Sequence, residues 1–102
     1  MVLHINTKDS KLITVALKEK EKVVSEMSEE NEYGSQVLLP LITKLLEKQG
    51  LEFKDLTGVE VEEGPGSFTG LKVGASVAQT LGFALNIPVN GKLNRSIKLK
   101  YT

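Results

Sequence analysis

Gly70, Gly74, Ala78 and Gly82 recur every four residues, and this spacing constrains the fold more than any other feature of the chain. Positions i and i+4 of an α-helix share a face, so a helix through this segment carries a stripe almost without side chains. Each interior glycine costs about 1 kcal/mol relative to alanine, and close approach of another element offsets that cost. Two surfaces can supply the approach: the chain's own sheet or first helix, or a helix of a partner. The pattern fits both. In the second case a bulky residue at Gly74 or Ala78 is expected to weaken association more than it unfolds the chain.

The stripe follows EEGPGSFTGLKVG at 62–74, which does not match either common phosphate loop. A Walker loop needs four residues between its glycines and then Lys-Ser/Thr, whereas Gly66 and Gly70 enclose three and Leu71 follows; Gly64, Gly66 and Gly70 also miss the dinucleotide spacing by one residue. A loop between a strand and a helix can still hold an anion on free amides, which makes Gly66, Ser67, Thr69 and Gly70 a candidate anion-binding loop. Ser67 and Thr69 fit better as caps of the following helix.

Other chemistry is thin. His4 is the only histidine and cysteine is absent, so no zinc site, disulfide or Ser-His couple is available. Glu60, Glu62 and Glu63 read as a solvated strand end. No catalytic constellation, metal or cofactor is expected. Thirteen basic and thirteen acidic residues cancel, which argues against a broad nucleic-acid or anionic-membrane surface. No secretory leader or membrane-length apolar run occurs, so the chain is expected to be soluble and cytoplasmic.

Its 102 residues suit one domain. Apolar, β-branched runs predict strands over 2–6, 11–17 and 21–28. Val37, Leu38, Leu41, Ile42, Leu45 and Leu46 then mark one helical face that stops at Gly50, with Pro40 near the first turn. A strand over 58–62, a helix over 70–86 and a short strand over 87–89 complete the order βββαβαβ. That order predicts an α/β lobe with a mixed five-stranded sheet and both helices on one face. Leu3-His4-Ile5-Asn6 and Val59-Glu60-Val61-Glu62 alternate, so the opposite face should meet water or be covered only by a tail over 92–102, through Ile97, Leu99 and Tyr101. That tail is expected to be an edge strand or a disordered end.

GPGSFTGLKVG at 64–74, SQVLLPLITKLL at 35–46 and ALNIPVNG at 84–91 together resemble the amino-terminal lobe of the bacterial TsaB (YeaZ) family, and the resemblance extends over residues 1–91. It implies a single actin-like (ribonuclease H-like) lobe of the glycoprotease-like superfamily. It also implies a noncatalytic subunit that pairs through its helices with a TsaD-like catalytic subunit, or with itself, in making threonylcarbamoyladenosine in tRNA, and that touches tRNA only indirectly. Combined with the two apolar helix faces, it points to an interface built from Leu38, Leu41, Ile42, Leu45, Gly70, Gly74, Ala78 and Gly82. The chain departs from the family in three places. It has one lobe where two are usual, and the alternation at Glu60 and Glu62 favours a natural one-lobe form. Asn6-Thr7-Lys8 replaces Asp-Thr-Ser, removing the carboxylate an actin-like ATPase places near magnesium, so the isolated chain is expected not to hydrolyse ATP. Gly34 stands where histidine is frequent.

Overall fold

A computed structural model describes residues 1–9, 11–30 and 35–93. Strands β1 (Val2–Asn6), β2 (Leu12–Glu19) and β3 (Lys22–Glu30) form an antiparallel meander. Helix α1 (Ser35–Lys48) follows, then a single 3-10 turn at Phe53–Asp55, strand β4 (Gly58–Val61) and helix α2 (Phe68–Leu85). The sheet order is β3-β2-β1-β4, with β4 parallel to β1.

Register decides which face is buried. Leu3 lies opposite Leu17 and Val59, and Ile5 opposite Val15 and Val61, so these side chains share one face. Leu38, Leu41, Ile42, Leu45 and Leu46 of α1 and Ala78 and Leu81 of α2 join them in one core cluster. Each buried aliphatic side chain of this size contributes about 1.5–3 kcal/mol of transfer free energy, and α1 alone supplies five. Both helices therefore cover one face, as the element order predicts. His4, opposite Ala16 and Glu60, and Asn6, opposite Thr14, point the other way, and no described helix covers them. The part of the tail from residue 94 onward, with Ile97, Leu99 and Tyr101, lies outside the described residues.

The expected fifth strand is corrected. Among the described residues the sheet has four strands, and the 87–89 segment contributes one parallel bridge, Val59 to Val89. Asn90 (φ 50°) and Gly91 (φ 77°) turn the chain immediately, and Val89 and Lys92 exchange both backbone hydrogen bonds around them. This is the two-residue hairpin turn that Asn-Gly favours. The Asn90 side chain then substitutes for the missing strand: the Val61 amide donates to Oδ1 at 2.8 Å, and Nδ2 donates to the Val61 carbonyl at 3.1 Å.

The stripe on α2 faces the chain's own sheet. A Cβ on Gly70 would strike the Thr7 carbonyl, one on Gly74 would strike Thr7 Oγ1 and crowd Val61, and one on Gly82 would meet Val89 Cγ2 at 2.5 Å. Ala78 is fully buried. The sequence pattern is identical for a sheet or a partner beneath the helix, and here the sheet occupies that side. The expectation for bulky substitutions reverses: Gly70→Val and Gly74→Val should destabilise the folded lobe by about 3 kcal/mol or more, because the atoms they hit belong to backbone and strand. Chemical denaturation checks this, and a midpoint equal to wild type would refute it. A second prediction concerns the β2–β3 turn, where Lys20 (φ 51°) and Glu21 (φ 69°) both sit in the left-handed region. Lys20→Asn combined with Glu21→Gly should stabilise the lobe by about 1 kcal/mol, read as a higher thermal midpoint; an unchanged or lower one would show the turn to be unstrained.

Candidate functional site

The loop from β4 to α2 is tied down at both ends. The Ser67 amide donates to the Lys8 carbonyl at 2.9 Å, the Gly70 amide to Ser67 Oγ at 3.3 Å and the Leu71 amide to the Ser67 carbonyl at 2.9 Å. Ser67 is thus the N-cap of α2. A Cβ on Gly66 would sit 2.7 Å from Lys8 Cβ and 2.8 Å from its carbonyl oxygen, so this glycine is required by backbone contact with the end of β1. Of the four candidate anion-loop residues, the Ser67 and Gly70 amides are engaged internally, Gly66 is a packing glycine, and Thr69 is exposed on the first turn of α2.

The eight residues expected to form a partner interface are all buried within the chain. Leu38, Leu41, Ile42 and Leu45 are at most 2% exposed, and Gly70, Gly74, Ala78 and Gly82 lie on the buried side of α2. They build the lobe's interior and are not on offer to a partner at its surface.

Two surface features remain. The first is an open polar cleft of about 490 Å³ at the carboxyl ends of β1 and β4, lined by His4, Glu60, Val61, Glu62, Glu63, Gly64, Asn90 and Gly91. His4 Nδ1 lies 3.0 Å from Glu60 Oε1 and Nε2 lies 3.0 Å from Glu62 Oε2; a neutral ring donates to one of them, a charged ring to both. Lys18 Nζ donates to Glu60 Oε1 at 2.9 Å, and Lys8 Nζ lies 3.8 Å from Glu62. The hydrogen bond from His4, and then that from Lys18, hold the Glu60 carboxyl below its ordinary range, and the same contact with Glu60 raises Lys18. These groups satisfy one another across the strands. Asn6 is used locally, its Oδ1 accepting from the Lys8 amide at 3.2 Å. Among the described residues no cluster of histidine, cysteine, aspartate or glutamate is arranged to hold a metal ion.

The second feature is apolar. The outward face of α2 carries Phe68, 56% exposed, and Phe83, 83% exposed. Between Phe68, Thr69, Lys72, Val73, Ser76 and Val77 lies a groove of about 320 Å³, with Lys72 Nζ 5.7 Å from the Phe68 ring centre. The legible signal for this side was Phe68 in the first turn and the i, i+4 pair Val73 and Val77; the glycine stripe opposite carries no information about it.

The cleft makes a testable demand on pH. Because the Glu60 carboxyl titrates lower in the fold than at its ordinary value of 4.5, its ionised form stabilises the lobe fully above that value. The contribution fades as pH falls through the lower folded value. Glu60 is about one-third exposed, at 35%, so screening keeps the effect below about 1 kcal/mol. Glu60→Gln should therefore lose less stability than wild type between about pH 5 and pH 3; parallel losses in the two proteins would refute the pairing.

Comparison with known proteins completes the site. Residues 23–91 match the family model described as TsaD: tRNA N6-adenosine threonylcarbamoyltransferase. The chain is 37% identical over 79 residues to the tRNA threonylcarbamoyladenosine biosynthesis protein TsaB of Buchnera aphidicola subsp. Schizaphis graminum, covering 76% of this chain and 38% of that one. It is 48% identical over 54 residues to the tRNA N6-adenosine threonylcarbamoyltransferase of Nitrosospira multiformis, covering 53% and 16%. YeaZ from Pseudomonas aeruginosa superposes with a TM-score of 0.77 at 31% identity, covering 86% of this chain and 40% of that one. The chain thus spans well under half the length of these relatives, and no described helix is long and apolar enough to cross a membrane. With the family model matching more than half of the sequence and the YeaZ structure matching the fold, the chain belongs to the bacterial TsaB (YeaZ) family within the group that the TsaD model describes.

Proposed function

We propose that the chain is a noncatalytic lobe acting in the biosynthesis of threonylcarbamoyladenosine in tRNA, in the cytoplasm. It does so by holding a TsaD-type catalytic subunit, or a second copy of itself, on the outward face of α2, and meets tRNA only through that assembly. The observation that carries this reading is the apolar surface left on the outward side of α2, where Phe68 and Phe83 are exposed and Phe68 lines the groove with the half-buried Val73 and Val77. Exposed large aromatics beside an apolar groove on a small lobe point to an interaction site, and aromatics are among the residues that usually dominate binding. The names of the relatives supply the process. The noncatalytic part of the proposal is supported by the polar cleft, whose titratable groups are paired with one another, and by Asn6, whose side chain closes a local turn.

Titration calorimetry of the chain against the TsaD-type subunit of the same organism tests the proposal. A complex should form, and Phe68→Ala or Phe83→Ala should weaken it about tenfold or more while leaving the thermal midpoint of the chain unchanged. Absence of any complex at concentrations on the order of 0.1 mM, or full affinity in both variants, would sink it.

A further inference from the structure

Of the five asparagines in the chain, Asn90 alone is followed by glycine. That pairing is chemically labile: the backbone nitrogen of the next residue can attack the asparagine side-chain carbonyl carbon, and glycine, without a side chain, leaves the approach open. In the folded lobe the pair forms the tight turn between Val89 and Lys92, with both residues in the left-handed region. The Asn90 side chain is held there by β4. Its Oδ1 accepts from the Val61 amide at 2.8 Å and its Nδ2 donates to the Val61 carbonyl at 3.1 Å. Both bonds must give way before the side chain turns back onto the Gly91 nitrogen.

We infer that Asn90-Gly91 is a self-modification site, guarded by the clamp on Val61 and able to destroy that clamp through its own product. When the 87–92 segment opens from β4, the Gly91 backbone nitrogen bonds to Asn90 Cγ. The bond from Cγ to Nδ2 breaks, and Nδ2 leaves as ammonia carrying the proton from Gly91, which closes a succinimide ring. Water then adds to one of the two ring carbonyls and breaks its bond to the ring nitrogen, leaving aspartate or isoaspartate at position 90. The sum is an amide and water converted to a carboxylic acid and ammonia, with no oxidant or cofactor.

Neither product restores the clamp. An aspartate carboxylate only accepts hydrogen bonds, so the Val61 carbonyl, on a residue 4% exposed, would face a second oxygen where it now faces a donor. Isoaspartate adds a carbon to the main chain and removes the spacing by which Val89 and Lys92 exchange their bonds. The new charge also enters a cleft whose lining holds Glu60, Glu62 and Glu63 and no lysine, while Lys18 and Lys8 are drawn to Glu60 and Glu62. The segment that stands where a fifth strand would is thereby loosened from β4, and Val89 from its place over Gly82. Conversion at Asn90 records, irreversibly, how often this edge of the sheet has opened.

The experiment incubates the full chain near neutral pH and follows conversion at Asn90 by peptide mass mapping, with isoaspartate counted enzymatically. It compares native wild type, wild type unfolded in urea, wild type in urea just below the unfolding transition, and Val89→Ala. Native wild type should convert about tenfold or more slowly than the unfolded chain, because attack tracks the population of the open segment. Val89→Ala and sub-denaturing urea, which loosen the segment without altering the turn residues, should give rates between these two. Thermal melting of Asn90→Asp reads the effect of the product, and its midpoint should lie about 5 °C or more below that of wild type. No conversion at Asn90 in the unfolded chain would overturn the site itself. Equal rates in the native and unfolded chains would overturn the guarding role of the clamp. An Asn90→Asp midpoint equal to wild type would overturn the claim that the product breaks it.

Discussion

Close contact between α2 and the end of β1 sets the geometry of the whole lobe. Thr7, 1% exposed, donates its hydroxyl to the Gly70 carbonyl at 2.6 Å, and the bare faces of Gly70 and Gly74 rest against the same residue. A buried hydroxyl with no partner would cost about 1–3 kcal/mol, so the bond fixes both the strand end and the helix start. From there the helix descends along β4 with Gly74 on Val61 and reaches the 87–89 segment at Gly82. Even a β-carbon at Gly70, Gly74 or Gly82 would press α2 away from the elements beneath it. The loop hydrogen bonds from Ser67 to Lys8, the parallel alignment of β4 with β1 and the direction of the outward face all depend on that spacing.

The same contact shows which residue of Asn6-Thr7-Lys8 does the packing. In Asn6-Thr7-Lys8 the threonine is the residue that locks helix to strand, whereas Asn6 and Lys8 engage their neighbours, Asn6 in a turn and Lys8 with Ser67 and Glu62. The cleft beside it is polar because strand alternation sends His4, Glu60 and Lys18 to the face without helices, and there they neutralise one another. A sheet with one face under helices and one face laced by ion pairs is what antiparallel alternation in the sequence specifies.

Much of this was legible in the residues. The period of two in β1 and β4 and the helical spacing of α1 fixed the elements and the buried face, and Ser67 announced the cap. The stripe at Gly70, Gly74, Ala78 and Gly82 was legible as a close contact but not as a contact with the sheet, because periodicity records which side of a helix is bare and nothing about what lies there. The fifth strand failed for a local reason: Asn90-Gly91 carries the signature of a tight hairpin, and that turn ends the strand after one bridge. Lys20-Glu21 hides a turn of the same hand because neither residue is one that left-handed backbone favours. The roles of Thr7 and Asn90 were invisible, since each depends on a backbone group far away in sequence, at Gly70 and Val61.

What the lobe leaves partly exposed is the other side of α2. A helix of a single-sheet lobe needs one apolar face, and its far side is ordinarily polar. Here the inner side is filled with glycine, alanine and leucine, yet Phe68, Val73, Val77 and Phe83 extend the apolar surface around it. The small inner residues make this consequential: because they bring the helix backbone against Thr7, Val61 and Val89, the outer side chains stand on a closely packed platform. Large aromatics on such a platform lose little freedom when covered, since their support is already ordered. The glycine stripe and the outward aromatics are therefore two parts of one arrangement, in which packing inside the lobe positions the side chains on its outer surface.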